Sequence, residues 1–257
     1  MKDLTDHKKI AILIDADNAQ HSKIKTIFSE ISKHGHIITK RAYGDWSSEY
    51  LKNWKTTLNE MAIQPIQQFA YTTGKNATDS SLIIDAMDLL YTDKYDAFAI
   101  ISSDSDFTKL ASRLRESEVY VFGIGERKTP ISFRNSCDDF IFTENLDDLT
   151  VTTKIDAAQT KATPTPEEKI PQEIIDILFK GWEQFKDDDD WANVAPVGQL
   201  LKRVKPDFDP RTYGASKVPE VIAKLDQFEM TKFKGKGVVN IVAYRPKKAN
   251  EPSAAHL

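Results

Sequence analysis

Cysteine is nearly absent: Cys137 is the single one in 257 residues, so the chain can form no internal disulfide and no cysteine-based zinc cluster. Its expected role is that of a small buried or half-buried residue. No stretch approaches the roughly 18 uninterrupted apolar residues of a membrane span, and the polar start MKDLTDHKK has no hydrophobic run of signal-peptide type behind it. These absences lead to the expectation of a soluble, cytoplasmic protein with no membrane partner. Histidine is also scarce. His21, His34 and His36 match no strong metal motif and are assigned to the surface or to turns. Internal repeats and strong low-complexity tracts are missing too. What is present, 40% hydrophobic and 29% charged residues, excludes a wholly disordered, collagen-like or fibrous protein.

The net charge of −4 hides an asymmetry. Residues 200–248 carry twelve Lys/Arg against five Asp/Glu, whereas residues 1–199 carry 23 against 33. A basic C-terminal segment suggests an anionic partner, and acidic residues upstream suggest cation binding if they converge in space.

Apolar periodicity vanishes between Leu146 and Ile170 in a polar stretch containing Pro164 and Pro166. That stretch predicts a flexible linker at 147–169 between domains at 8–146 and 170–246, with a disordered tail at 247–257. In the first domain, strands are expected at Ile10–Ile14, Ile37–Tyr43, Ile63–Phe69, Ala97–Ile101, Val119–Ile124 and Phe140–Phe142. Helices are expected between them at 19–33, 47–61, 78–91 and 106–116. This alternation predicts an α/β fold: a mainly parallel sheet with helices on both faces. Downstream, helices near 171–186, 196–205 and 215–226 precede a hairpin of Glu229–Phe233 and Val238–Tyr244, the pattern of a small winged-helix domain. The acidic run Asp187–Asp190 is expected to cap a helix end or fill a solvated loop.

Two D-x-D pairs follow buried strands directly, in Asp15-Ala-Asp17-Asn18 and in Ser102-Ser-Asp104-Ser-Asp106. Ligands of open α/β sheets bind beyond the carboxyl ends of the strands, where the strand order reverses. With the order 3-2-1-4-5, both loops line one crevice there. Asp79, at the start of the helix after the third strand, faces the same crevice, with Thr78 as a candidate cap. Asp85 is rotated about 240° from Asp79 around that helix and is kept as a supporting residue. Asp17 fits a loop-capping role. Asp15, Asp79, Asp104 and Asp106 thus form a candidate cluster of catalytic, metal-holding carboxylates, whose mutual repulsion a bound cation relieves. Oxygen ligands without His or Cys favour Mg²⁺ or Mn²⁺. Such a site suits phosphoryl chemistry, in which the metal polarises a phosphate oxygen and activates water.

IAILIDADN, KNATDSSLIIDAMDLL and AIISSDSDFTKLASRLRESEVYVFGIG, taken in order, resemble the successive motifs of NYN domains, relatives of PIN-domain nucleases. The resemblance spans roughly residues 8–146. It implies a PIN-like, Rossmannoid α/β sandwich and a divalent-metal-dependent nuclease acting usually on RNA. The family's acidic positions fall on Asp15, Asp79, Asp104 and Asp106, its motif asparagine on Asn18, its small hydroxyl on Ser102 and a phosphate-contacting basic position on Lys75. Residues 170–246 resemble a LOTUS (OST-HTH) domain through Val197-Gly-Gln-Leu-Leu-Lys-Arg-Val204, Pro206–Gly214, Lys217 and the wing ending Ile241-Val-Ala-Tyr244. This implies RNA binding, with Arg211, Tyr213, Lys217, Lys232, Lys234 and Lys236 as the candidate contacts. Trp191 is expected to pack. The substrate stays open among single-stranded RNA, structured RNA and DNA. Two other readings compete: a non-catalytic RNA-binding adaptor, and a phosphatase of the haloacid dehalogenase type with Asp15 as nucleophile.

Overall fold

The computed structural model describes residues 8–69, 77–146, 168–234 and 240–247. They form two compact units, one drawn from residues 1–160 and one from 161–257.

The first unit contains β1 (Lys9–Asp15), α1 (Ile24–Ile31), β2 (His36–Gly44), α2 (Trp54–Glu60), β3 (Gln64–Gln67), α3 (Ala77–Leu90), β4 (Ala97–Ile101), α4 (Thr108–Glu116), β5 (Tyr120–Gly125), α5 (Ile131–Ser136) and β6 (Asp139–Phe142). Six strands pair in the order β3-β2-β1-β4-β5-β6, all parallel. The order 3-2-1-4-5, the condition for a shared crevice, is the observed one, and the sixth expected strand lies beyond β5.

Period-2 alternation explains why the sheet needs helices on both sides. Ile10, Ile12 and Ile14 of β1 and Ala97, Ala99 and Ile101 of β4 enter one core with Ile24, Ile27 and Ile31 of α1 and Trp54 of α2. Ala11 and Leu13, with Phe98 and Ile100, enter the other core against Leu82 and Ala86 of α3, Leu110 and Leu114 of α4, and Phe133 of α5. Burying such a side chain fully contributes about 1.5–3 kcal/mol, so neither face of the central strands tolerates exposure.

The helix expected at 19–33 is split into a 3₁₀ turn at His21–Lys23 followed by α1. The six-residue α5, which follows Pro130, was not anticipated: it is too short for a helical period to show. His34 packs against Phe122, ring centroids 4.9 Å apart, and His21 meets Trp54 edge-on.

The second unit contains α6 (Gln172–Phe185), β7 (Ala192–Asn193), α7 (Val194–Val204), α8 (Val218–Ala223), β8 (Phe228–Lys234) and β9 (Asn240–Pro246). Its antiparallel sheet has the order β7-β9-β8. One core gathers Ile174, Leu178 and Trp182 of α6, Val197 and Leu201 of α7, Ile222 of α8, and Phe228 and Tyr244 of the sheet. The Tyr244 hydroxyl reaches the Leu178 carbonyl at 2.6 Å, which satisfies its one polar atom inside that core. The helix expected at 215–226 is shortened to α8, because Gly214 takes a left-handed conformation (φ 63°) and Pro219 sits in the first turn. Asp187 closes the turn before β7 by accepting from the backbone N–H of Asp189 and of Trp191.

Candidate metal centre

The carboxyl ends of β1 and β4 lie side by side, since Ile14 pairs with Ile101. Asp15 ends β1 and is fully buried. Asn18 Nδ2 donates to its Oδ2 at 2.8 Å and Ser102 Oγ donates to the same oxygen at 2.7 Å. Its Oδ1 is buried with no hydrogen-bond partner among the described residues. An acceptor stranded in this way is costly unless something positive occupies its vicinity. Burial, the largest cause, pushes the Asp15 carboxyl upward, against the lowering effect of the Ser102 and Asn18 hydrogen bonds.

After β4 the chain turns sharply. Ser102 Oγ accepts from the Asp104 N–H at 3.0 Å, and Asp104 caps the following 3₁₀ turn by accepting from the Asp106 N–H at 2.9 Å. Asp79 stands in the first turn of α3, where the helix dipole favours a negative charge. Asp79, Asp104 and Asp106 each offer a carboxylate oxygen within 4.8 Å of the others. Burial, followed by the charges of Asp15, Asp104, Asp106 and Asp17, raises Asp79 to about 6.

Three carboxylates thus converge, and Asp15 acts electrostatically on Asp79 from the strand end. The donor set is all oxygen, as Mg²⁺ and Mn²⁺ prefer. A positive charge would relieve both the stranded Oδ1 of Asp15 and the raised Asp79, and the residues fit a divalent cation. A groove of about 900 Å³ lined by Trp46, Leu51, Lys52, Lys55, Leu58 and Pro65 includes none of these groups. The chemistry of the carboxylates, rather than the size of that groove, identifies the candidate site.

The family model for the NYN domain matches residues 9–147, more than half of the chain. This chain belongs to the NYN domain family. A second model, for the OST-HTH/LOTUS domain, matches residues 167–239. NYN domains are PIN-like nuclease domains, and LOTUS domains bind RNA. A solved structure of a protein of unknown function from Vibrio parahaemolyticus is similar at 17% identity and a TM-score of 0.45, covering 53% of this chain and 93% of that one. No curated protein matches.

Within the NYN domain, Asp85 lies outside the carboxylate group. Its oxygens accept from Arg41 Nη1 and from the Tyr43 hydroxyl, both on β2. Burial and the neighbouring Asp85 hold the Tyr43 phenol far above its ordinary range. Arg41 and Tyr43 escaped the sequence reading. The signal that could have found them is the polar break at Lys40-Arg41 inside the otherwise apolar or β-branched run Ile37–Ala42.

The nucleic-acid candidates of the LOTUS domain are more dispersed. Arg211 forks onto both carboxylate oxygens of Asp209, with Nη2 to Oδ2 at 2.8 Å. Tyr213 is buried and stacks on Phe208, so its ring serves the core. Lys217, exposed, lies 3.8 Å from Glu220, and Lys232 is exposed on β8. Lys75, Lys236 and the side chain of Lys234 lie outside the described residues, as do the proposed linker through residue 167 and the tail beyond 247.

Proposed function

We propose that this chain is a divalent-metal-dependent ribonuclease that hydrolyses RNA phosphodiester bonds at the NYN crevice, with the LOTUS domain binding the RNA. The observation that carries the reading is the convergence of Asp79, Asp104 and Asp106 beside the stranded Oδ1 of Asp15. Asp79, Asp104 and Asp106 would hold Mg²⁺ or Mn²⁺, and Asp15 would complete the negative field. A cation bound there supplies Lewis-acid activation of the phosphate and a more acidic attacking water. The chain's own contribution is orientation: Ser102 and Asn18 fix the Asp15 carboxylate, and the Asp104 cap fixes the turn that carries Asp106. Asp79, raised to about 6, holds a proton in mild acid and releases it when positive charge arrives.

The test is cleavage of single-stranded RNA, structured RNA and DNA with Mg²⁺, with Mn²⁺ and with chelator. Cation-dependent cleavage of RNA, abolished by chelator, is the expected result. Tight RNA binding without turnover under every condition would make the chain an RNA-binding adaptor. Phosphate trapped covalently on Asp15 would make it a phosphatase.

A further inference from the structure

The groove of about 900 Å³ in the first unit takes no part in the carboxylate site, yet it borders that site. Its walls come from Trp46 after β2, from Leu51, from α2 and from β3, the edge strand of the sheet. Its volume is that of a small-ligand site, whereas stable protein–protein contacts spread over flatter patches of about 800 Å² per partner. Leu58, Ile63 and Pro65 make it apolar.

Strand register places one end of the groove at the carboxyl edge of the sheet. Asp15 pairs with Tyr43 on β2, and Tyr43 pairs with Ile66 on β3. Gln67, the next residue, lines the groove, so this end stands two strand spacings, roughly 10 Å, from the strand end that carries Asp15. Gly44 lies between them. A Cβ added to it would meet Leu51 Cδ1 at 2.6 Å, Ala16 Cβ at 3.4 Å and Asp17 Oδ1 at 3.8 Å. Leu51, a wall of the groove, and Asp17, in the loop leaving Asp15, therefore crowd the same point.

The aromatic wall is held in place by its neighbours. Trp46 Nε1 donates to the Ile66 carbonyl at 3.0 Å, its backbone N–H donates to Gln67 Oε1 at 3.1 Å, and its ring meets Trp54 edge-on with centroids 6.2 Å apart. A fixed indole among aliphatic walls receives a flat apolar group with little loss of conformational entropy.

The charge that selects the ligand lies on the groove itself. Lys52 and Lys55 line it, and no carboxylate does. Lys52 is shared with Glu49 at 3.1 Å, whereas Lys55 is exposed and forms no ion pair with any described residue. Asp45, next to Trp46 in the chain, accepts from Ser47 and from Gln67, and Glu60 ends α2 outside the lining. A polyanion that crosses the acidic crevice needs positive charge beside it, which Lys55 supplies. A planar apolar group attached to a phosphate is an unpaired nucleotide; in a duplex the base faces are already stacked.

We infer that the groove between α2 and β3 receives an unpaired nucleotide of the RNA strand held at the carboxylates, with its base against Trp46 and Pro65, its phosphate at Lys55 and the Asn59 amide available to a base edge. The inference rests on the RNA-directed reading above and names the part of the strand that the NYN domain itself holds.

The experiment titrates the full chain with an end-labelled single-stranded RNA in chelator at several salt concentrations, so that binding is read without cleavage. Lys55→Gln removes one phosphate contact at a side chain with no ion pair to lose. It is expected to weaken binding about three- to fivefold and to lower the salt slope by about 0.7, while Lys94→Gln, in the exposed loop between α3 and β4, changes neither. Asn59→Trp fills the groove from an exposed helix position and is expected to weaken binding about tenfold. The same RNA carrying 4-thiouridine, irradiated on the wild type, is expected to cross-link within residues 46–67. Wild-type affinity in both Lys55→Gln and Asn59→Trp, or cross-links confined to other segments, overturns the inference and leaves the groove to another ligand or a protein partner. Cleavage with Mn²⁺ is measured separately. Groove-dependent binding without cleavage would sink only the nuclease proposal, and cleavage with groove-independent binding would sink only this one.

Discussion

Ser102 Oγ, at the end of β4, donates to Asp15 Oδ2, at the end of β1, across 2.7 Å. The same hydroxyl oxygen accepts from the Asp104 N–H at 3.0 Å, so one serine links a buried carboxylate to the turn bearing Asp104 and Asp106. Groups that orient metal-holding carboxylates usually matter about 10- to 100-fold in cation affinity. Ser102→Ala should therefore weaken Mn²⁺ binding within that range while the protein melts as a folded domain. Isothermal titration checks it; wild-type affinity would show that Ser102 only closes the turn.

Asp104→Asn keeps the size of the side chain and removes one of three converging charges. Turnover on RNA should drop by about two orders of magnitude or more, since the cation's share of transition-state stabilisation is several kcal/mol. Asp88→Asn is the comparison, because Asp88 is exposed on the same helix as Asp79 but is absent from the carboxylate group. Equal turnover in the two variants would remove Asp104 from the site.

Asp15, Asp104 and Asp106 were legible because they come at or just after the ends of unbroken apolar strands, and Asp79 because it opens the helix after the third strand. Ile10–Ile14 and Ala97–Ile101 can only be interior strands, and topology then delivers Asp15 and Asp104 to one sheet edge. The Arg41–Asp85–Tyr43 contact was not legible, because it depends on how α3 rotates over β2, and a helical wheel fixes angles within a helix but not between elements. Tyr213 shows the same limit in the LOTUS domain. A tyrosine in the turn Pro206–Gly214 is open to stacking or to packing, and the turn folds it onto Phe208. The contacts of Phe233 and Arg245 with Trp191 could not be read at all, since they depend on a register that only the paired strands define.

The pH dependence of the cation-free protein follows from Asp79. Its folded value is raised to about 6 from the ordinary carboxylate value of 3.8, so between those values the folded state binds more protons than the unfolded one. Stability must then fall as pH rises through that window and level off above it. Asp79→Asn should flatten this part of the profile, making the cation-free variant more stable than wild type at pH 7. The same variant should lose most of the rise in Tm that Mn²⁺ gives the wild type. Melting curves at pH 4–7.5 with and without Mn²⁺ test both; a wild-type profile that climbs from pH 4 to 6 in Asp79-dependent fashion would contradict the sign.

Asp85 joins α3 to β2 through Arg41 and Tyr43 and so holds the helix that carries Asp79. The pair is partly shielded, with side-chain exposures of 26% for Arg41 and 22% for Asp85. Removing the carboxylate strands two donors, so Asp85→Ala should cost about 2–4 kcal/mol, and Tyr43→Phe about 1 kcal/mol. Because the two changes share one partner, the double variant should cost less than their sum. Urea denaturation decides it, and strict additivity would mean that Tyr43 and Asp85 act independently.

Gly125 ends β5 directly beside Ser102. A Cβ there would stand 2.6 Å from the Ser102 carbonyl oxygen and 2.7 Å from Thr129 Oγ1. Backbone cannot rotate out of the way as a flexible side chain can, so Gly125→Ala must push the β4 end, and with it the hydroxyl that orients Asp15. Gly123, two residues earlier on the same strand, provides the contrast. Its added Cβ would meet Cys137 Sγ and Phe140 Cδ2, each at 2.6 Å, inside the core and away from the carboxylates. Both alanine variants should lose stability by about 1–3 kcal/mol through overpacking. Only Gly125→Ala should lose turnover beyond its unfolded fraction, because displacing catalytic groups by an ångström can cost about 100-fold. Activity measured well below both melting transitions separates the effects. If the two variants keep the same activity per folded molecule, the β5 end does not set the position of Ser102, and the link from Gly125 through Ser102 to Asp15 fails at its first step.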